Sequence, residues 1–223
     1  DLELLPKEKL IKLKQLLDAE KILTAREDFL YFVKQVWPDF ICKNGKEPSD
    51  WGHHQIIADK LNQVAQGKIK RLIINMPPRH TKSEFASYLF PAWIMGLRPN
   101  AKLMQVSHNA ELSFRFGRKV RNLVDSEEYK KIFSNVGLQQ DSKAAGRWET
   151  SQGGEYFAAG VGGAITGRGA DILVIDDPHT EQNVMSESAM EKTYDWYVSG
   201  PRQRLQPGGS IVVVMTRWAQ DDL

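Results

Sequence analysis

A chain of 223 residues, 41% hydrophobic and 26% charged, can bury one substantial core with room for a small appendage. Its net charge of +2 excludes a strongly basic polyelectrolyte binder but not a local basic stripe. The single Cys42 excludes an internal disulfide and a cysteine-rich zinc site; with no run approaching the roughly 20 apolar residues that span a bilayer and no signal-like start, a reducing, cytoplasmic setting fits best.

The chain opens with helical periodicity over residues 7 to 36, where Leu10, Leu13, Leu16 and Leu17 recur between Lys and Glu. Thr24, three residues before Glu27, predicts a capping box for a second helix, DFLYFVKQV, which Trp37-Pro38 ends. Residues 38 to 50 read as loop. A third helix is expected from about His53 to Val64, capped by Ser49 or Asp50 and closed by Gln66-Gly67. From there strands and helices alternate. Strand 71–76 leads to helix 82–95, and strand 102–107 to helix 109–124. The charged stretch 125–147 shows no core pattern. Short apolar pieces split by glycines between Trp148 and Ala170 predict hairpin strands. Strand 171–176, helix 186–198 and strand 210–215 follow. Alternation of this kind predicts an α/β fold with a mostly parallel sheet flanked by helices.

Three segments carry chemistry. The first, RLIINMPPRHTKSE (Arg71 to Glu84), is an apolar run, a Pro-Pro turn and a Lys-Ser pair before a helix-like run. That is the layout of a phosphate-binding P-loop. The turn from Pro78 to Glu84, through Arg79, His80 and Thr81, would face phosphates with its backbone N–H groups at a helix N-terminus. Lys82 adds a point charge and the Ser83 hydroxyl a Mg²⁺ ligand. The pattern G-x-x-x-x-G-K-[ST] would have glycine where this chain has Met76 and Thr81, and a β-branched threonine resists positive φ. The other reading is an ordinary strand-to-helix turn with a solvated lysine. The second segment, DILVIDDPHT, is a buried strand ending in acids, the Walker B arrangement. Asp176 would hold Mg²⁺, and Asp177 would orient and deprotonate the attacking water. Together the two predict a nucleoside triphosphatase.

The third segment, SIVVVMTRWAQDDL, is a buried strand ending in Thr216, Arg217 and Trp218. With PPRHTKSE and LVIDDPHTE it resembles the ATPase domain of tailed-phage terminase large subunits, from about Trp51 to Leu223. The resemblance implies an additional-strand P-loop NTPase core over 51–223, preceded by a helical segment over 1–50 packed on it. It implies ATP and Mg²⁺ as cofactors and ATP hydrolysis that powers translocation of double-stranded DNA into a procapsid. It also implies a portal protein and a small terminase subunit as partners, a homo-oligomeric ring on the portal, and the cytoplasm of an infected bacterium as the setting. Dilute protein is expected to be monomeric. The chain begins without Met and stops after a strand and an acidic pair, so it reads as an excised piece without the family's nuclease domain. The family usually has Gly where this chain has Thr81 and Glu where it has Asp177.

Further roles follow from the resemblance, each beside a plainer one. Gln55 would read the adenine edge, or sit on a solvated helix face. Arg79 would sense the γ-phosphate, or salt-bridge the loop. Arg168, between glycines, would act as a finger on a neighbouring subunit's ATP, or be a surface arginine. Thr216 would sense γ-phosphate loss, or cap its strand. Ser107 lies where the family has a conformation-sensing segment. Arg115, Arg118 and Lys119 share a helix face that could track a phosphate backbone, or be solvated. His53 and His54, adjacent on a helix, should face different ways, which argues against metal. A helicase-like or restriction-type translocase is an alternative, without a DEAD-type box to support it. A degenerate P-loop that binds nucleotide without turnover is another, motivated by Thr81.

Overall fold

A computed structural model describes residues 6–37, 51–165 and 167–219, with Ser142 and Lys143 described by backbone alone. The expected loop over 38–50, Cys42, the caps Ser49 and Asp50, and the acidic pair Asp221-Asp222 lie outside the described residues.

Helix α1 (Lys7–Glu27) runs into α2 (Phe29–Val36). The junction corrects the expected capping box. Asp28 is the cap, its carboxylate accepting from the Tyr31 N–H at 2.7 Å, while the Thr24 hydroxyl donates back to the Glu20 carbonyl inside α1. An aspartate at the break caps as well as a threonine and sits at the right offset. Much of the leucine pattern of α1 stays exposed and only Ala25 in it is buried, whereas α2 buries Phe29, Leu30, Phe32 and Val33. Helix α3 (Gly52–Ala65) precedes strand β1 (Arg71–Asn75).

After β1 the chain turns and re-enters a helix in two parts, a π-helical segment (Glu84–Leu89) and α4 (Phe90–Leu97). The Phe90 N–H donates to the Phe85 carbonyl, five residues back. Pro91 gives the physical reason: it has no N–H, and its ring crowds the carbonyl four residues earlier, so one widened turn accommodates it. Strand β2 (Lys102–Ser107), α5 (Ala110–Val124), α6 (Glu127–Ile132), β3 (Leu138–Ala144), β4 (Arg147–Thr150), β5 (Glu155–Gly160), β6 (Ala170–Asp176), α7 (Glu187–Ser199) and β7 (Leu205–Met215) follow, with short 3₁₀ turns on either side of α7. The stretch 125–147 therefore does carry structure, α6 and β3. Tyr129, Ile132, Phe133 and Val136 from it are buried.

The seven strands lie in the order β1-β7-β6-β2-β5-β4-β3. The first five are parallel, and β5-β4-β3 is an antiparallel edge. This is a mostly parallel sheet flanked by helices, as the alternation predicts. The central strands are nearly all apolar because both faces are covered. One face packs against α2, α3, α4 and α5, and the other meets Trp196, Tyr197 and Leu205. Phe29 ties the N-terminal helices to the helix that follows β1, meeting Phe85, Phe90 and Trp93 with ring centroids 5.4–5.9 Å apart. Burial of one such ring contributes about 2–3 kcal/mol. Among the described residues no helix is long and apolar enough to cross a membrane.

Candidate functional site

Parallel strands all end at the same edge, so the residues just after β1, β6 and β7 become neighbours although far apart in sequence. Strand β7 lies between the other two, pairing Asn75 with Met215 and Asp176 with Val214. The ladder continues one residue beyond β1, Met76 N–H donating to the Met215 carbonyl at 3.1 Å. Pro77 and Pro78 have no N–H to carry it further, and the chain peels away into the 76–83 loop. At the end of β6 the Asp177 N–H donates to the Val214 carbonyl at 2.8 Å, and there the backbone turns sharply.

Five side chains converge. The Lys82 ammonium, 6% exposed, donates to Thr216 Oγ1 at 3.0 Å and lies 3.5 Å from Asp177 Oδ2. The Thr216 N–H donates to Asp177 Oδ1 at 2.8 Å. Ser83 Oγ donates to Asp176 Oδ1 at 2.8 Å. Asp176 Oδ2 is buried with no hydrogen-bond partner. Burial, and then the charge of Asp177, push the Asp176 carboxyl up to about 7; Ser87, Ser83 and Lys82 hold it from rising further. The Ser87 hydroxyl acts there by proximity, since it lies outside hydrogen-bond geometry.

The backbone is strained at this edge. Among the described residues only three non-glycine positions have positive φ, and all three are here: Arg79 (66°), Thr81 (61°) and Asp177 (43°). Each costs on the order of 1–3 kcal/mol. Thr81 thus adopts the left-handed conformation that its branched side chain resists. Its hydroxyl donates to the His80 carbonyl at 2.6 Å and meets His54 Nε2 at 2.9 Å. A cleft of about 230 Å³ is lined by Arg79, Thr81, Lys82, Ser83 and Glu84. A larger one, about 460 Å³, lies among α1, α2 and α6, but it has neither strained backbone nor buried converging charges. The chemistry belongs to the smaller.

Lys82, Ser83, Asp176, Asp177 and Thr216 are therefore brought together, with Pro78, Arg79, His80 and Thr81 in the same loop. Arg79 and His80 are exposed, and the His80 ring meets the Pro78 carbonyl through Nδ1. Glu84, in the cleft lining, accepts both its bonds from Lys119 Nζ, at 2.7 and 2.8 Å. Gln55 is exposed, its amide donating to Asp59 at 2.8 Å. Arg168 is not at this edge. It sits before β6, whose seven residues span about 20 Å, and it bonds Glu155 while its guanidinium lies 4.4 Å from the Phe157 ring centroid. Instead of standing exposed on a turn, it clasps the opposite edge of the sheet.

Ser107 is buried, bonded to Ser113 Oγ and the Asn109 carbonyl, each at 2.7 Å. His53 and His54 do not face apart as expected, since their rings lie 4.0 Å centroid to centroid. Among the described residues no group of three or more His, Cys, Asp or Glu is placed to hold a metal ion. Sequence reasoning missed two contacts, His54 on Thr81 and His108, whose N–H and Nδ1 both meet the Asp177 carbonyl, at 3.2 and 3.1 Å. No local sequence signal announces the first, whose partners stand 27 residues apart. Burial and the neighbouring His53 lower the pKa of His54, partly offset by the Trp51 carbonyl.

The fold matches a solved structure, the crystal structure of the HK97 bacteriophage large terminase, with a TM-score of 0.54 over 88% of this chain. The chain has a terminase-like fold. Sequence identity over that match is 13%, and the chain covers 38% of the length of the HK97 protein. No protein-family model matches the chain, and no curated protein does.

Proposed function

We propose that this chain is an ATPase motor domain of the phage large-terminase type, with an additional-strand P-loop core. One observation carries the reading: Lys82, Ser83, Asp176, Asp177 and Thr216 meet at one sheet edge because β7 is inserted between β1 and β6. An inserted strand between the lysine-bearing and acid-bearing strands is what the additional-strand arrangement requires. The strained backbone confined to the same edge supports a site held ready for a ligand.

The residues fit Mg²⁺ by their chemistry. Asp176 offers a buried carboxylate oxygen with no partner beside the Ser83 hydroxyl, an all-oxygen pair. Magnesium ordinarily takes one or two carboxylates and completes its shell with water and substrate phosphates. When bound it would neutralise charge on the phosphate oxygens.

Each of the chain's own groups then has a task. Loop N–H groups and Lys82 bind the phosphates, and Arg79 at the loop tip reaches outward to the terminal one. Asp177 orients the attacking water and accepts its proton. Thr216 touches both Lys82 and Asp177, so a change at either reaches β7. Gln55 would need to leave Asp59 to read an adenine. Arg168 could act only on another subunit, and only after leaving Glu155. Catalysis is mostly positioning and electrostatics. Translocation of double-stranded DNA, a ring on a portal protein, a small-subunit partner and the cytoplasm of an infected bacterium complete the proposal by likeness to the terminases.

Nucleotide affinity and phosphate release, measured separately with Mg²⁺, test it. Lys82→Ala should lose both. Asp177→Asn should keep binding and lose turnover, because an amide cannot take the proton. Wild-type turnover in Lys82→Ala would sink the assignment. Binding without turnover in the unmutated chain would make it a nucleotide-binding module.

A further inference from the structure

A threonine stands at φ 61° in the turn just before Lys82, where a glycine would adopt the same backbone freely. Something outside the loop must hold it. The candidate is on α3. His54 Nε2 lies 2.9 Å from Thr81 Oγ1. The threonine hydroxyl has one hydrogen, and it is directed to the His80 carbonyl at 2.6 Å. Oγ1 thus stands between the His80 carbonyl and the His54 imidazole, which also meets the Trp51 carbonyl. The imidazole is itself fixed: its ring packs 5.2 Å from Phe85, in the π-helical segment, and 4.0 Å from His53. A relay of imidazole, hydroxyl and carbonyl thus spans from α3 to the loop backbone.

We propose that His54 is a positioning residue for the nucleotide, holding Thr81 and the loop amides around it in the phosphate-binding conformation that glycine would supply unaided. The inference rests on the ATPase reading above. His54 touches the ligand only through the loop. It therefore matters when residue 81 is threonine and ceases to matter when residue 81 is glycine. A histidine that contacted nucleotide directly would matter in both cases.

The experiment is a double-mutant cycle on His54→Phe and Thr81→Gly. Phenylalanine keeps the ring against Phe85 and removes the nitrogen that meets Thr81. Two quantities are read: the Kd of a fluorescent ATP analogue with Mg²⁺, and amide hydrogen exchange over residues 79–83. His54→Phe alone should weaken the analogue about 10-fold, the effect of one lost hydrogen bond of ordinary strength, and should speed exchange at those amides. Thr81→Gly alone should tighten binding. The double variant should match Thr81→Gly in both readouts. His54→Gln, whose amide can donate or accept, should recover part of the loss. If His54→Phe does not fold, His54→Gln and His54→Asn carry the cycle, and the partial loss in each must vanish in the Thr81→Gly background. Equal losses in both backgrounds, or none with Thr81 present, overturn the proposal. If the unmutated chain binds no nucleotide, the ATPase reading fails, but exchange over 79–83 still decides whether His54 holds the loop.

Discussion

Removing the charge at position 176 should stabilise the folded chain. Asp176 is 1% exposed, beside a second carboxylate, and its carboxyl rises from 3.8 to about 7 on folding. Below about pH 4 it is protonated in both states and costs nothing. Between about 4 and about 7 the folded state holds the proton that the unfolded state has lost, so stability falls as pH rises through that window. Once both states are ionised the penalty amounts to about 4 kcal/mol, and relaxation or water entry brings it toward about 2. Asp176→Asn removes the penalty and keeps the local bonding, since the amide oxygen can still accept from Ser83 and the amide N–H₂ can donate toward Ser87. Urea denaturation in a chelator, run at about pH 5 and about pH 8, is the assay. The variant should gain roughly 2–4 kcal/mol at the higher pH and less than half of that at the lower. A variant less stable than the parent at the higher pH would refute the reasoning, because Asp176 would then be a satisfied partner of Lys82 and the serines. The same substitution should weaken the dependence of turnover on Mg²⁺.

Arg168→Ala should cost about 1–2 kcal/mol, through the bond to Glu155 and the contact with Phe157, read by thermal or urea unfolding; unchanged stability with lost turnover would give it a role across a subunit interface instead. Gly96→Ala should destabilise by about 1–3 kcal/mol, because the added Cβ would run into the Phe133 ring, and a melting temperature equal to that of the parent would show that the ring moves aside at no cost.

The strands were legible because central parallel strands are written as unbroken apolar runs, LVI before Asp176 and IVVV before Met215. The five converging residues were legible because each stands at the end of such a run or in the turn that follows it, and parallel strands end at a common edge. Other features had no such signature. Thr24 and Asp28 are both good caps, and sequence alone does not say which residue breaks the helix. The stretch 125–147 hides Tyr129, Ile132 and Phe133 among charges, since a six-residue helix is too short to show a period. Arg168 was misplaced because Gly-Arg-Gly suggests exposure, whereas Glu155 and Phe157 lie on another strand. The π turn before Pro91 and the reach of His54 to Thr81 depend on the angle between α3 and the loop, which no local pattern encodes.

The position of β7 has a consequence for how the chain comes together during synthesis. It is the last strand of the described chain, yet it sits second in the sheet. Until it is made, β1 has no neighbour to pair with, and Lys82 and Asp177 have no common scaffold. Some 140 residues separate the partners Arg71 and Ile211, so closing that pairing is a long-range and slow event. Strand β1 must wait as an unpaired apolar edge while the rest is translated, the kind of exposure that chaperones cover. A ribosome-stalled chain ending before β7 should therefore be protease-sensitive around β1 and unable to retain nucleotide, and both properties should change together when residues 205–215 emerge.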